Sequence, residues 1–582
     1  MFQGGDFGLV GGAYEAPDLL QDAQKLINWY VEIDTQSEAK MPVALLGAPG
    51  LNPIISTITG TVRGGWTLPG NTALIYVVSA SVYIATVSVP ATSTSIAQFT
   101  VVQVGTLLTN AGRVVIRDNG VLFNGLGGYA VLVDGLYGYF YRIAGAGTIT
   151  FNANLTISQP TISFGVGSLV PNNLIVSSGF ITDSAGALPP STTIQSVSFS
   201  ANTITLSANS ASNQTADAFT LNIPAFGQIL DPAFLGADRI LFIEGWLMFN
   251  QPGTRTFYTN APIPYTLTFA GAFYALKDSS TDNLITLHEN NREAWLVGER
   301  TTEVWYNSGG VNFSFSRLPG IGPQVGCSAK HSIARIGPNL IWLARNEQGE
   351  NMVMMTNQYA MQRVSTHAVE AALSGYTFVS DAIGDVYEDQ GHVMYVLTFP
   401  TQDVTWCFDL TVYTQTQGRF GWWQRLSWNS TSGSYHRHLA NCYFNFADIR
   451  MCGDYQSGVL YQQDRKFYTD AGNPLRAQRR TPHVWKKESR ERVFFAQLQV
   501  EFTPGVGLQT GQGTDPQVMV RWSDDGGLSW GTEQWVSIGK VGDTRNRAVL
   551  YNLGEARDRV WEVNITDPVK RDIIGATLFA ET

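Results

Sequence analysis

LITLHENNREAWLVGERTTEVWYNSGGVNFSFSRLPGIGPQVGCSAKHSIARIGPNLIWLAR, residues 284–345, holds two pairs of strands and the turns between them. Leu284, Thr286 and His288 alternate with Ile285 and Leu287 before Asn290 and Asn291 supply a turn. Residues 294–298 resume as a strand, Glu299 and Arg300 turn it, and residues 301–306 run back. Successive side chains of a strand point to opposite faces, so period-two runs broken by Asn and Gly read as hairpins. Phe313 and Phe315 follow the Gly309-Gly310 turn, and the Gly/Pro-rich loop 318–326 ends one unit before 331–345 begins the next. This is one propeller blade handing over to another.

The unit recurs. Strand groups begin near Arg239, Leu284, His331, Asp381 and His438, at spacings of about 45 to 57 residues. Four strands in a period of roughly 40 to 50 residues make a blade. Upstream lie two more hairpins, 72–89 and 113–135, the second turning tightly at Asp118-Asn119-Gly120. Between Arg142 and Arg239 the chain has no Lys, Arg, His or Glu, and is rich in Ser, Thr and Asn with alternating apolar residues. That composition reads as a small β-domain inserted in a propeller loop, since exposed loops tolerate insertion. Beyond residue 492, six alternating runs with short turns suggest a sandwich.

The expected class is therefore all-β: a propeller of seven blades, or six, with an inserted β-domain and a C-terminal β-sandwich. The expected order is an N-terminal arm with first strands (1–60), blades (61–142), the insert (143–238), further blades (239–475), a basic linker (476–492) and the sandwich (493–582). Within the arm, 18–25 reads as a helical turn and 26–33 as a strand. One short helix is expected at 366–373, with Ser365 or Thr366 as its N-cap.

Composition agrees. Of the 582 residues, 12% are aromatic and only 14% charged, against roughly 25% charged in ordinary soluble domains. Large interfaces are depleted in charge, so the shortage suggests surface covered by partners. A net charge of −10 argues against a sequence-reading nucleic-acid binder and suits a surface that DNA slides past. Cys327, Cys407, Cys442 and Cys452 form no CxxC pair, so free buried thiols are expected rather than a zinc ribbon. The N-terminal residues lack a basic region followed by an apolar run, so no signal peptide is expected. No apolar run approaches ~18 residues, so no membrane span is expected either.

Motifs for chemistry are few. Ser523, Asp525, Gly527, Ser529 and Trp530 fit the Asp-box spacing found in sialidases, in which the Asp bonds turn amides and the Trp packs beneath. It is read as a structural turn. Glu289, Glu293, Glu299 and Glu303 offer a candidate acid/base pair, but carboxylates on hairpin turns explain them better. His436 and His438 share a strand face without a clear third ligand. No P-loop, GxSxG or Rossmann fingerprint occurs. No catalytic, cofactor-binding or metal-binding residue is assigned. The sharpest electrostatic feature is residues 476–492, where Arg476, Arg479, Arg480, Lys486, Lys487, Arg490 and Arg492 are candidates for contact with a partner or with passing phosphates.

Several phrases together carry a family resemblance. LINWYVEI (26–33) and PVALLGAPGL (42–51) resemble the opening of the packaged-DNA stabilisation proteins of short-tailed bacteriophages, the tail hub or nozzle proteins of podoviruses. REAWLVGERTTEVWYNSGGVNFSFSR (292–317), 341–370, 388–410, 453–464, RWSDDGGLSW (521–530) and 537–576 continue it in the family's order. The resemblance implies a virion protein assembled as a ring, with a hexamer expected, below the portal and adaptor. Such a ring extends the DNA channel, helps retain packaged DNA without sequence-specific binding, takes part in genome ejection and anchors spikes, fibres or a needle. It implies no enzyme, no cofactor, and residence in the virion after assembly in the host cytoplasm. The insert departs from shorter members. The alternative is a propeller-type glycan-binding protein or glycosidase acting on surface polysaccharide, motivated by the Asp box and the aromatic content.

Overall fold

The structure, a computed structural model, describes residues 3–34, 41–91, 96–120, 128–165, 168–171, 174–261, 264–310, 313–486, 489 and 491–581. Seven antiparallel groups of four strands follow one another around a ring. The first blade runs from Val62–Thr67 to Gln98–Thr106. The second comprises Val115–Asp118, Tyr129–Val133, Gly138–Arg142 and, after the insert, Phe226–Gln228. Blades three to six begin with Ile240–Ile243, Leu284–Asn290, Ala334–Ile336 and Ile383–Asp389. The seventh has three strands from 440–464, and its fourth, Gly50–Ile55, comes from the N-terminal arm and pairs with Leu460–Asp464. The ring is thus closed by a strand more than 400 residues away in sequence, which fixes the blade number at seven.

Aromatic and aliphatic side chains fill the wedges between blades. Trp295 meets Trp342 between blades four and five, and Leu241 and Trp246 meet Leu287 and Trp305 between blades three and four. Tyr76 and Tyr83 of the first blade share a cluster with Phe444 and Met451 of the seventh. Full burial of one such side chain is worth roughly 1.5–3 kcal/mol. In the opening stretch, Asn291 and Arg292 both take positive φ (52° and 65°), as a two-residue type I′ hairpin turn requires. The expected helix is His367–Ser374, and the Thr366 hydroxyl accepts from the Val369 amide at 3.3 Å. A second helix, Leu410–Gln415, was not foreseen; Asp409 caps it.

The C-terminal unit has two sheets around one core containing Phe495, Leu498, Val520, Trp561 and Val563. All six expected strands form, and the N-terminal arm supplies more. Trp29–Ile33 and Val43–Gly47 join one sheet, and Ala23–Ile27 joins the other. The latter strand also pairs, in parallel, with Trp422–Gln424 of the sixth blade, so sandwich and propeller share a sheet.

Four details differ from the sequence reading. Residues 18–25 make a turn and enter a strand, because Ala23–Ile27 gains ladder bonds from Ala477–Arg480. The strand expected over 26–33 breaks at Asn28, whose φ is +56°. The turn at Asp118–Gly120 is not a tight hairpin: Asp118 faces Ala130, and the connection passes through 121–127, outside the described residues. Residues 476–492 are not a free linker, since Ala477–Arg480 lies between two strands of the sandwich.

The insert folds as a six-stranded sheet spanning 147–223. It leaves and re-enters between the paired strands Gly138–Arg142 and Phe226–Gln228. Its Leu174, Ile175 and Val176 join one buried cluster with Phe140 and Leu247 of blades two and three, so it is bolted to the ring rather than tethered.

Sandwich and propeller are locked together at buried polar groups. Arg425 and Asp470, each 1% exposed, form a two-oxygen ion pair at 2.5 and 3.0 Å. His392 bridges Asp409 (2.6 Å) in the sixth blade and Glu32 (2.8 Å) in the N-terminal strand. Burial alone would lower the pKa of His392, but the two carboxylates outweigh it and raise the value above 6.5.

Removing one partner of a buried pair strands the other charge. Asp470→Asn is therefore expected to cost about 3–5 kcal/mol in urea unfolding, whereas Arg425→Met with Asp470→Leu recovers part of it. The raised pKa of His392 gives stability that is complete below the unfolded value of 6.5 and is lost as pH rises through the folded value. Wild type and His392→Gln should consequently converge in stability between acidic and alkaline buffer; a gap that widens with pH would contradict the assignment.

Candidate functional site

The basic segment and the Asp-box turn, separated in sequence by the residues between 492 and 523, meet on one face of the sandwich. Arg480 lies over the Trp530 ring at 4.9 Å and Arg521 does so at 5.1 Å. Both guanidiniums converge on Glu562, Arg480 at 2.7 Å through Nε and Arg521 at 2.6 Å. Glu562 is fully buried. Burial would raise its pKa, but Arg480, Asn564 and Arg521 hold it below the usual range. Glu562 was missed in the sequence because the run DRVWEVNI is buried on both faces, so alternation does not single out its carboxylate.

The Asp box is a turn. Asp525 accepts from the Ser529 amide at 2.8 Å and from the Ser523 hydroxyl at 2.6 Å. These bonds hold its carboxyl well below the usual carboxylate range. Gly527 takes φ +101°, and the Trp530 indole donates to the Gly527 carbonyl at 3.1 Å. With both oxygens of Asp525 bonded within the turn, neither is left to act on a substrate.

The five described basic residues of the segment do not form a free patch. Arg479 is wholly buried and grips the N-terminal loop, donating to the carbonyls of Leu9 (2.7 Å), Gly12 (2.7 Å) and Gly8 (2.9 Å) and to Gln24 Oε1 (3.0 Å). Burial lowers its pKa to about 9. Arg476 packs over Trp428 at 4.7 Å and pairs with Glu533 at 3.4 Å. Among the described residues of the segment, only Lys486, paired with Glu491, and Arg492, paired with Glu555, present substantial charge to solvent. Lys487 and Arg490 lie outside the described residues.

The other candidates disperse. Glu303 is buried and accepts from Ser279 N–H (2.8 Å) and Trp305 Nε1 (2.8 Å); Glu293 accepts from Tyr359 at 2.6 Å, Glu289 from the Arg292 amide at 3.2 Å and Glu299 from Asn283 at 3.4 Å. His436 pairs with Asp403 at 2.6 Å while His438 is buried with neither ring nitrogen bonded. Among the described residues no group of three His, Cys, Asp or Glu could hold a metal ion. All four cysteines are buried and free. No helix among the described residues is long and apolar enough to cross a membrane.

Around this face, large apolar side chains remain exposed. Gln534–Ser537 and Ala548–Tyr551 are the last strands of the two sandwich sheets, and Trp535 and Tyr551 on them are 62% and 63% exposed. Leu20 and Trp485 line a groove of about 420 Å³ beside His483 and Asp558.

Two family descriptions match the chain: "Bacteriophage P22 Gp10, beta-propeller" over residues 172–468 and "Bacteriophage P22 Gp10, beta-sandwich" over 476–581. No curated protein matches. Among solved structures, the Nup170 N-terminal domain–Nup53 complex of Chaetomium thermophilum is 8% identical at TM-score 0.31, covering 78% of this chain and 64% of that one. A eukaryotic initiation factor is 8% identical at TM-score 0.24, covering 69% and 96%. A family 43 arabinoxylan arabinofuranohydrolase of Bacillus subtilis is 10% identical at TM-score 0.20, covering 91% and 97%. Likenesses this slight carry no argument.

Arg479 supplies a rigid fork of donors that an ammonium cannot copy. Arg479→Ala is expected to cost more than about 2 kcal/mol in denaturant unfolding, with Arg479→Lys recovering little of it, because several buried carbonyls lose their donor. Full rescue by Lys would contradict that role.

Proposed function

The chain belongs to the bacteriophage P22 Gp10 family, the packaged-DNA stabilisation tail hub proteins of podoviruses, and from that premise we propose that it forms the nozzle ring of a short tail. The family is a structural one of the virion tail. In our reading, copies of this chain close into a ring, with six the expected number, below the portal and adaptor. The ring extends the DNA channel, helps retain the genome until ejection, and anchors spikes, fibres or a needle at its periphery.

The observation that supports this reading best is the pair of exposed aromatic residues on the two terminal strands of the sandwich. Edge strands with unpaired backbone groups invite another chain, and soluble proteins normally protect them with charge or cover. Here Trp535 and Tyr551 are presented instead, residue types that dominate interface energetics. The acidic balance of −10 supports the channel role, because like charge lets duplex DNA pass without adhering. Lys486 and Arg492 are the described members of the basic segment suited to an acidic neighbour in the tail.

Mass photometry of the chain with its portal–adaptor complex tests the proposal. Wild type should add the mass of a ring, and Trp535→Glu with Tyr551→Glu should abolish that addition while circular dichroism stays unchanged. A variant that still assembles would remove the sandwich edges from the interface. A wild-type chain that stays monomeric beside the complex would remove the ring.

A further inference from the structure

We propose that the axis of the propeller is a binding site for a small tetrahedral oxyanion of the phosphate class, held among the guanidiniums of Arg113, Arg117 and Arg239. The first or innermost strands of all seven blades line one cavity of about 350 Å³ there. Its charges are badly unbalanced. Among the described residues that line it, Arg113, Arg117 and Arg239 bring three positive charges and Asp385 one negative, and the exposed Arg335 adds another positive charge. A neighbouring pocket shares Trp66, Arg117 and His288, and its Asp118 and Glu289 offset part of that excess beside Arg117. Both accept from neutral donors, Asp118 from Trp66 Nε1 at 2.6 Å and Glu289 from the Arg292 amide at 3.2 Å, and neither bonds a guanidinium of the cluster.

The three guanidiniums are satisfied to different degrees. Arg113 pairs with Asp385 at 2.9 and 3.2 Å. Arg117 donates to the Ile116 carbonyl at 2.8 Å and lies over the Trp66 ring at 4.3 Å. The guanidinium of Arg239, a residue 7% exposed, donates to nothing among the described residues, and its Nε is buried without a partner. A buried guanidinium left unbonded is costly, and so is a cluster of like charges out of water. Burial and mutual repulsion bring Arg117 and Arg239 down to about 10, still fully charged at neutral pH.

A folded protein keeps such an arrangement where a counter-charge completes it. Planar forks of N–H donors match phosphate oxygens in pairs, and several forks around one centre favour a multivalent tetrahedral anion over a carboxylate. His331, which burial and the arginines keep neutral and whose Nδ1 is buried without a partner, can present one N–H without adding charge, whereas the single N–H of neutral His288 is spent on the Glu289 carbonyl at 2.7 Å. Duplex DNA is far too wide for the cavity, so the site is distinct from any contact with the packaged genome.

Isothermal titration of the full chain with orthophosphate tests the site, with sodium chloride at matched ionic strength as the control and a short single-stranded oligodeoxynucleotide as the phosphodiester arm. Saturable phosphate binding is expected, weakened about tenfold or more in Arg239→Gln, the magnitude expected of one lost charged hydrogen bond. Should that variant fail to fold, the exposed Arg335→Gln keeps the test alive and should weaken binding by a smaller factor. Binding equal in wild type and both variants, or heat matched by chloride, would overturn the proposal. Tighter binding of the oligonucleotide than of orthophosphate would overturn the assignment to a free oxyanion.

Discussion

Asn28 holds the molecule together at the point where its two β-units meet. Its positive φ turns the N-terminal strand out of one sandwich sheet and into the other. The side-chain amide donates to the carbonyls of Leu426 (2.8 Å) and Arg476 (2.6 Å), and its oxygen accepts from the Leu426 amide (3.0 Å). The backbone adds bonds to Gln424 and Ala48. Asn tolerates the left-handed conformation better than most residues, and no other side chain offers a donor pair and an acceptor at that reach. Around it Arg425 pairs with Asp470, and Arg571 donates to the carbonyls of Leu475 and Tyr468. Once this knot forms, Gly50–Ile55 is delivered to the open edge of the seventh blade. Ring closure and sandwich docking thus draw on the same N-terminal segment.

That dependence explains what the sequence disclosed and what it hid. The blades were legible because each is a local object: Leu284–Asn290 and its hairpin partners alternate in and out at period two, and Asn and Gly mark the turns. The Asp-box turn was legible for the same reason, with all its bonds made within eight residues. The closing strand Gly50–Ile55 was not, because its partner lies at Leu460–Asp464 and nothing in either run names the other. Arg479 carried a misleading signal. In a row of basic residues it looks like a surface charge, and only the strand register between Leu26 and Val563 sends it inward. The axial arginines left a faint trace, in that Arg113 and Arg239 stand at or just before the starts of blade strands, but nothing local shows that the ring brings them together.

Arginine is used throughout as an interior donor. Arg63, Arg425, Arg479, Arg559 and Arg571 are among the largest fully buried side chains. Arg63, for instance, donates to the carbonyls of Gly112, Ser79, Thr109 and Ala111. Loops joining blades and arms have carbonyls that no ladder can satisfy, and one five-donor fork caps several of them at once. So many interior arginines leave fewer cations for the surface of a chain whose net charge is −10. The unbonded Arg239 stands out against this practice.

The claim that sandwich and propeller form one cooperative unit, locked through Asn28, is tested most directly by differential scanning calorimetry of the isolated chain. One transition, with calorimetric and van't Hoff enthalpies equal, is the expected result. Two resolved transitions, one of which survives Asn28→Ala unshifted, would show that the units melt independently and would contradict the account.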